Sequence, residues 1–215
     1  MPRSVPLPCI LAALAATAYA VGFLVAFPFG VSIVLKTAPL LVLTVGAALA
    51  AREVDGWLFM LVMTVGAAGD ALLEVDQVWG GSAFAVGHAA AIALYARNLR
   101  PAKSIPLSQK AAAFALLSSA AVVAWLAGKA LTIPVAAYAL VVAAMAATAW
   151  LSIFSRYRTG IGAVLFLVSD AFIFAEMGGR IDPDVARWII WPLYIAGQIM
   201  IYIGVQAKLA ARASA

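Results

Sequence analysis

Charged residues are scarce in this sequence: only 11% of its 215 residues are charged, and it contains one cysteine and one histidine. A soluble domain is about half apolar and roughly a quarter charged. This chain is 66% hydrophobic, so the composition excludes a soluble globular domain. The lone Cys9 excludes an intramolecular disulfide and a cysteine-based metal cluster. The net charge of +5 is not gathered on a basic face with interleaved aromatic residues, so nucleic acid is not an expected partner.

Eight apolar runs fill most of the chain. They cover residues 7–27, 31–51, 56–75, 82–98, 110–129, 133–154, 160–177 and 187–208. Most approach the roughly 20 residues that a helix needs to cross a bilayer. The first run is longer than the apolar core of a typical signal peptide, so we count it as a span. The sequence therefore predicts an all-α, multi-pass membrane protein in which residues 1–215 form a single domain, a bundle of eight transmembrane helices.

The cations are divided unequally between the two sides of this predicted bundle. Ten fall at the termini and in the loops between runs two and three, four and five, and six and seven: Arg3, Arg52, Arg97, Arg100, Lys103, Lys110, Arg156, Arg158, Lys208 and Arg212. Only Lys129, Arg180 and Arg187 belong to the other side. Because cytoplasmic loops carry the excess of lysine and arginine, we predict that both termini are cytoplasmic and that the protein lies in the inner cell membrane.

Three ionisable residues lie inside apolar runs: Asp70 in run three, His88 in run four and Asp170 in run seven. Ionisable groups in lipid are energetically costly and indicate function by default. In the predicted orientation they lie about five to seven residues below the outer surface, and Lys36 and Tyr194 fall at a comparable depth. We therefore predict one buried site that opens toward the non-cytoplasmic side.

Each of the charged candidates also has a structural interpretation. An aspartate could pair with Lys36 or with the backbone and so hold helices together. His88 could be a buried hydrogen-bond donor in helix packing. Lys36 could bind a substrate phosphate, stabilise an ionised aspartate, or extend to the outer surface. Glu74 lies one turn beyond Asp70 on the same helix face, where it could be solvated or could contact a substrate.

The polar candidates at the edges of the site also have more than one interpretation. Tyr95 lies two turns beyond His88 and could close the floor of the pocket or simply pack. Tyr194 and Gln198 are one turn apart and could bind a head group or bridge two helices. Ser169 is not expected to be a nucleophile, because G-x-S-x-G is absent.

Five short motifs are distributed along most of the chain. They are K-T-A-P-L (36–40), G-D-A-L-L (69–73), F-x-x-G-H with a following tyrosine (84–95), G-A-x-L-F-x-x-S-D (162–170) and Y-I-A-G-Q (194–198). In these motifs the sequence resembles the YhhN family of membrane lysoplasmalogenases and their bacterial relatives. The resemblance covers nearly the whole chain.

The resemblance implies an eight-helix membrane hydrolase that cleaves the vinyl ether bond of a lysoplasmalogen to a fatty aldehyde and a glycerophospho-choline or -ethanolamine. Its motifs imply catalytic roles for Asp70, His88 and Asp170, and substrate contacts by Lys36, Tyr95, Tyr194 and Gln198. Glu74 is added to the substrate contacts for its position beside Asp70. The expected partners are a lysophospholipid, water and membrane lipid; no cofactor, metal or obligate protein partner is expected.

Vinyl ether hydrolysis suits a pair of carboxyls. Proton transfer to carbon gives an oxocarbenium ion, as in glycosidases, and two carboxyls at close range cannot both ionise, so one stays protonated as the acid. The alternative is a non-catalytic transporter of lipids or small molecules, which also uses charges near the middle of the membrane. The scarcity of polar residues in the predicted inner half favours the enzyme, because a transporter needs access to both sides.

Overall fold

The structure is a computed structural model that describes residues 6–214. The described chain forms eight α-helices in sequence: α1 (Leu7–Val21), α2 (Phe29–Ala50), α3 (Val54–Leu73), α4 (Gln77–Arg97), α5 (Leu107–Leu126), α6 (Ile133–Leu151), α7 (Ile161–Met177) and α8 (Pro183–Ala213). Two short 3₁₀ turns (Ala102–Ser104 and Gly128–Ala130) flank α5, and a π-helical turn (Arg156–Gly160) leads directly into α7.

Prolines determine where several of these helices begin. Pro6, Pro28 and Pro106 immediately precede the first residues of α1, α2 and α5. A proline is tolerated there because the first turn of a helix has no intrahelical use for its N–H groups. At the start of α6, Thr132 acts as the N-cap and its side-chain oxygen accepts a hydrogen bond from Val135 N at 3.4 Å.

In the described chain, seven helices are long and apolar enough to cross a membrane: α2 to α6, α7 with its π turn, and α8. They identify a multi-pass membrane protein. The prediction of eight spans is not confirmed, because α1 has only 15 residues. The run expected at 7–27 stops at Val21 because the chain tightens at Gly22, whose N–H bonds Tyr19 O, and Pro28 then starts a new helix.

The orientation of the helices stays a prediction. It rests on the distribution of cations, and one of these, Arg3, lies outside the described residues. The particular membrane is likewise a prediction from the sequence.

The start of α4 lies five residues before the sequence-based boundary at residue 82. Residues 76–81, which include Gly80 and Gly81, lie between the predicted runs three and four, but α4 begins at Gln77. The reason is a capping aspartate: Asp76 Oδ1 accepts hydrogen bonds from Val78 N at 2.8 Å and Trp79 N at 3.0 Å. Such a cap contributes about 1 kcal/mol, enough to offset one helical glycine. α8 also extends beyond its predicted range of 187–208 at both ends.

Residue contacts divide the chain into two compact units. Unit 1 contains the residues up to Ala90 together with those from Val205 onward, and unit 2 contains Ala91–Gly204. Within unit 1, α1 packs against α2 and α2 against α3. Within unit 2, α5 packs against α6, and α7 packs against both. That the whole chain forms a single domain stays a prediction.

Close contacts at glycines fix the register of α3 against α4 in unit 1. A Cβ atom on Gly69 would lie 2.8 Å from the ring of Phe84, and one on Gly87 would lie 3.6 Å from Val65. The two antiparallel helices therefore meet with residue 69 opposite residue 84. Small residues at such positions allow membrane helices to approach closely.

Close contacts at glycines also fix the register of α7 against the part of α8 that belongs to unit 2. A Cβ on Gly162 would lie 2.7 Å from the carbonyl oxygen of Gly197, and a Cβ on Gly197 would lie 2.7 Å from that of Gly162. Further along, the hydroxyl of Ser169 donates to the carbonyl oxygen of Ile190 at 3.2 Å. Residues 162 and 197 are therefore opposite each other, as are 169 and 190.

Candidate active site

Asp70 and His88 are buried side chains on neighbouring helices of unit 1, with exposed fractions of 2% and 5%. In the register fixed by the glycines, Asp70 faces Ala83 and His88 faces Val65. His88 therefore lies about five residues, or about 7.5 Å, deeper along the helix axis than Asp70. The sequence had placed the two at nearly the same depth because it began α4 five residues too late.

The direction of the two side chains reduces this offset. A helical Cα–Cβ bond tilts toward the N-terminus of its own helix. Because α3 and α4 are antiparallel, Asp70 and His88 lean toward each other. The ring of His88 stacks on that of Phe84, with centroids 6.4 Å apart and planes inclined by 28°. Phe84 is the residue against which Gly69 packs, so the site is held by tight α3–α4 packing.

Lys36 and Glu74 form an ion pair in unit 1. Lys36 Nζ lies 2.7 Å from Glu74 Oε1, and the Tyr19 hydroxyl donates to the same oxygen at 3.3 Å. The two charged side chains are 16% and 20% exposed, so they are only partly solvated. The ion-pair partner of Lys36 among the described residues is thus Glu74 rather than an aspartate. Tyr19 was not predicted; its position near the end of the first apolar run was the signal available.

Asp170 is held by a tyrosine in unit 2. The hydroxyl of Tyr138 on α6 donates to Asp170 Oδ2 at 2.8 Å, and Asp170 is 3% exposed. Among residues 6–214, the second oxygen, Oδ1, has no hydrogen-bond partner. The ring of Tyr138 also packs on Phe174, with centroids 5.9 Å apart. Tyr138 was not among the predicted site residues, although it lies five residues inside α6, within the depth range expected of the site.

Tyr194 and Gln198 are buried on α8, with exposed fractions of 5% and 6%. Tyr194 packs edge-on against Phe166 at 5.3 Å and beside Trp191 at 5.7 Å between ring centroids. In the α7–α8 register, Tyr194 lies about five residues and Gln198 about nine from the level of Asp170, or about 7.5 and 13.5 Å along the axis. A ligand at Asp170 would have to extend along the helices to reach Gln198.

Tyr95 and Ser169 both make structural contacts, a ring contact for Tyr95 and a hydrogen bond to the backbone for Ser169. Tyr95 is 1% exposed and packs edge-on against Phe154, with centroids 5.9 Å apart, two residues before α4 ends. The hydroxyl of Ser169 is used in its bond to the backbone of α8, which agrees with the argument against a serine nucleophile.

The predicted site residues thus form two constellations. Unit 1 holds Lys36, Asp70, Glu74 and His88, and unit 2 holds Tyr95, Asp170, Tyr194 and Gln198. That the two share one pocket stays a prediction. Within the described chain, no three side chains of His, Cys, Asp and Glu are grouped closely enough to hold a metal ion.

A groove of about 460 Å³ lies between α5 and α7 in unit 2. Its lining is almost entirely apolar: Ala112, Ala115, Leu116, Ser119, Val122, Val123, Trp150, Val164, Leu167, Val168 and Ala171. None of the predicted site residues lines it. A groove of this chemistry suits hydrocarbon chains and offers nothing for acid/base catalysis.

Comparison with known proteins identifies a family for this chain. No curated protein and no solved structure matches the chain significantly. The model of the YhhN family matches residues 31–205, a range that contains all eight predicted site residues and Tyr138 but leaves out α1 and Tyr19. Because this match covers most of the chain, the protein belongs to the YhhN family.

Proposed function

We propose that this protein is a lysoplasmalogenase-like hydrolase that cleaves the vinyl ether bond of a lysoplasmalogen to a fatty aldehyde and a glycerophospho head group. The observation that carries the proposal is the burial of two carboxyls, Asp70 and Asp170, in membrane-spanning helices of a YhhN family member. Buried carboxyls in lipid are costly and mark functional sites. The substrate is itself a membrane lipid.

The reaction needs an acid and a base in turn. An acid protonates the vinyl carbon remote from the ether oxygen, and the adjacent carbon becomes part of an oxocarbenium ion. Water adds to that carbon while a base removes its proton, giving a hemiacetal. The base then passes that proton to the glycerol oxygen while the hemiacetal hydroxyl returns its proton to the group that acted as the acid, so that the carbon–oxygen bond breaks and aldehyde and alcohol are released. No electrons are exchanged with a cofactor, and the acid is regenerated.

In this proposal Asp70 and Asp170 share the acid and base roles. Tyr138 is a positioning residue, since its hydroxyl holds Asp170 Oδ2 at 2.8 Å and leaves Oδ1 to meet the substrate or water. His88 orients Asp70 or accepts the proton of the attacking water. A carboxyl held by such a bond is kept near its reactive geometry, which is the main contribution a rigid site makes.

The ion pair of Lys36 and Glu74 supplies the head-group contact in the same proposal. A zwitterionic head group carries a phosphate and an ammonium, so it can exchange with the pair and leave neither charge without a partner. Lys36 would take the phosphate and Glu74 the ammonium. The partial exposure of both side chains supports access by a head group, on the side that the cation distribution predicts to be non-cytoplasmic.

The test is aldehyde release by the purified full-length protein in detergent. The substrate is a choline or ethanolamine lysoplasmalogen, and the control lipid has an alkyl ether in place of the vinyl ether, which this chemistry cannot cleave. We expect aldehyde from the first lipid only. Asp70→Asn and Asp170→Asn are expected to lose activity, whereas Asp182→Asn, the same change at an exposed residue, keeps it.

Two outcomes contradict the proposal. If both folded variants release aldehyde at the wild-type rate, the acid/base assignment is wrong. If the wild-type protein releases aldehyde from no vinyl ether lipid, the hydrolase proposal fails and lipid transfer across reconstituted vesicles becomes the function to measure.

A further inference from the structure

Besides Arg97 at the end of α4, five cations lie at one end of unit 2: Arg100, Lys103, Lys110, Arg156 and Arg158, here called the cationic end. Arg100 and Lys103 lie in the connection between α4 and α5, Lys110 lies in the first turn of α5, and Arg156 and Arg158 lie in the connection between α6 and α7. A two-stranded bridge between Leu99 and Ser152 joins these connections. Its hydrogen bonds run from Arg100 N to Leu151 O at 3.2 Å and from Ile153 N to Asn98 O at 2.7 Å. The cations of both connections therefore belong to one surface.

Two guanidinium groups converge within this surface. Arg100 Nη1 and Arg156 Nε both donate to the carbonyl oxygen of Trp150, each at 3.3 Å. Arg100 Nη2 also donates to Phe154 O at 2.9 Å. Burial and the adjacent charge of Arg156 lower the pKa of the Arg100 guanidinium below its usual value. Two like charges held side by side repel each other, and an anion placed between them would remove that repulsion.

Within the described part of unit 2, no carboxylate is paired with these guanidinium groups. The sequence contains no aspartate or glutamate from residue 77 to residue 169. Among the described residues, none of the five cations forms an ion pair, and the two terminal nitrogens of Arg156 have no hydrogen-bond partner. These nitrogens are the donors that bind phosphate oxygens in a bidentate manner.

Apolar side chains surround the cations at the same end. Tyr157 is 83% exposed, Leu107 is 81% exposed and Leu99 is 45% exposed. Tyr157 stands between Arg156 and Arg158 in the π turn, and Leu107 begins α5. Aromatic and aliphatic residues alternating with cations at the ends of spanning helices are typical of the membrane–water interface. A water-soluble anion would gain nothing from them, whereas a lipid contacts both kinds of side chain.

We propose that the cationic end binds the head group of an anionic phospholipid. Arg100 and Arg156 contact the phosphate, Lys103, Lys110 and Arg158 surround it, and Tyr157 and Leu107 contact the glycerol and the upper part of the acyl chains. Anionic lipids are attracted to such basic surfaces next to spanning helices. This inference is independent of the proposed hydrolysis.

The experiment is native mass spectrometry of the detergent-solubilised full chain. The protein is titrated with phosphatidylglycerol and, separately, with phosphatidylcholine of the same acyl chains. We expect adducts at lower concentration with phosphatidylglycerol. Arg156→Gln with Arg158→Gln should weaken its binding about fivefold for each cation removed. Arg100 is left unchanged because it also holds the carbonyls at the end of α6.

The matched control is Lys129→Gln, which removes one cation from the opposite end of unit 2 and should leave phosphatidylglycerol binding as in wild type. If the double variant does not fold, Lys103→Gln with Lys110→Gln makes the same test on the cations before and within the first turn of α5. Equal binding of the two lipids, or a loss no greater than in the control, overturns the proposal. Displacement of phosphatidylglycerol by equimolar inorganic phosphate also overturns it, since the site would then bind a soluble anion.

Discussion

Replacing Tyr138 by phenylalanine isolates the hydrogen bond that holds Asp170. The ring and its contact with Phe174 are retained, and only the hydroxyl that donates to Oδ2 at 2.8 Å is removed. Because Asp170 is buried, the carboxyl loses its partner without access to bulk water. A buried polar group left without its partner costs about 1–3 kcal/mol. We expect the free energy of unfolding of Tyr138→Phe to fall by about that amount.

The same variant should also lose activity if the bond positions Asp170 for catalysis. A loss of about 1–3 kcal/mol in the transition state corresponds to about a 5- to 150-fold lower kcat/KM for aldehyde release. Unfolding is measured by titration with a denaturing detergent, and activity by aldehyde release from the folded variant. The two readouts separate a structural role of the hydroxyl from a catalytic one.

A matched control and a double-mutant cycle complete this test. Tyr157→Phe removes a hydroxyl from a tyrosine that is 83% exposed, and should change neither stability nor activity. In an Asp170→Ala background, Tyr138→Phe should cost much less stability than in wild type, because the bond is already absent. If Tyr138→Phe is as stable and active as Tyr157→Phe, the role given to this bond is wrong.

Three further predictions test other parts of the structure. Gly162→Ala and Gly197→Ala should each lower the free energy of unfolding by about 1–3 kcal/mol, because the added methyl meets the backbone of the facing helix. Gly81→Ala should not lower it, because nothing lies within 4 Å of the position of its Cβ. Equal thermal stability of all three variants would contradict the proposed α7–α8 contact. Lys36→Met alone or Glu74→Gln alone should lower the melting temperature more than the double change Lys36→Met with Glu74→Met. The reason is that a half-buried charge is left unpaired only in the single variants. A double variant less stable than both single variants would show instead that the pair itself stabilises the fold. Arg212→Gln removes the contact with Asp55 Oδ2 at 2.9 Å. Amide hydrogen exchange should therefore become faster at the end of α8 but not at the α7–α8 contact near Gly197. Unchanged exchange at both places would mean that this ion pair does not hold the end of α8.

The apolar runs and the carboxyls within them could be predicted from the sequence, because a bilayer requires apolar spans and tolerates few ionisable residues inside them. Spans must be long and apolar, and an aspartate such as Asp170 stands out within one. The start of α4 was not accessible: Gly80 and Gly81 resemble a loop locally, whereas Asp76 caps a helix and Gly80 is required by its contact with Leu73.

The pairings between helices were less accessible because they depend on register. A tyrosine in an apolar run, such as Tyr138, resembles a packing residue until its distance to Asp170 is known. The sequence left the role of Lys36 open between a substrate phosphate, an aspartate and the outer surface, and the structure pairs Lys36 with Glu74. The relative depth of Asp70 and His88 followed only from the contact of Gly69 with Phe84.

The short helix α1 has a consequence for the bilayer around it. At 15 residues it is about 22 Å long, about 8 Å less than the hydrocarbon layer, yet it packs along the spanning helix α2. Hydrophobic mismatch of this kind draws the lipid surface inward. Tyr19 lies near the end of α1, and its hydroxyl is bonded to Glu74. Local thinning at α1 would therefore bring water, the second reactant of a hydrolysis, down to the level of the Lys36–Glu74 pair.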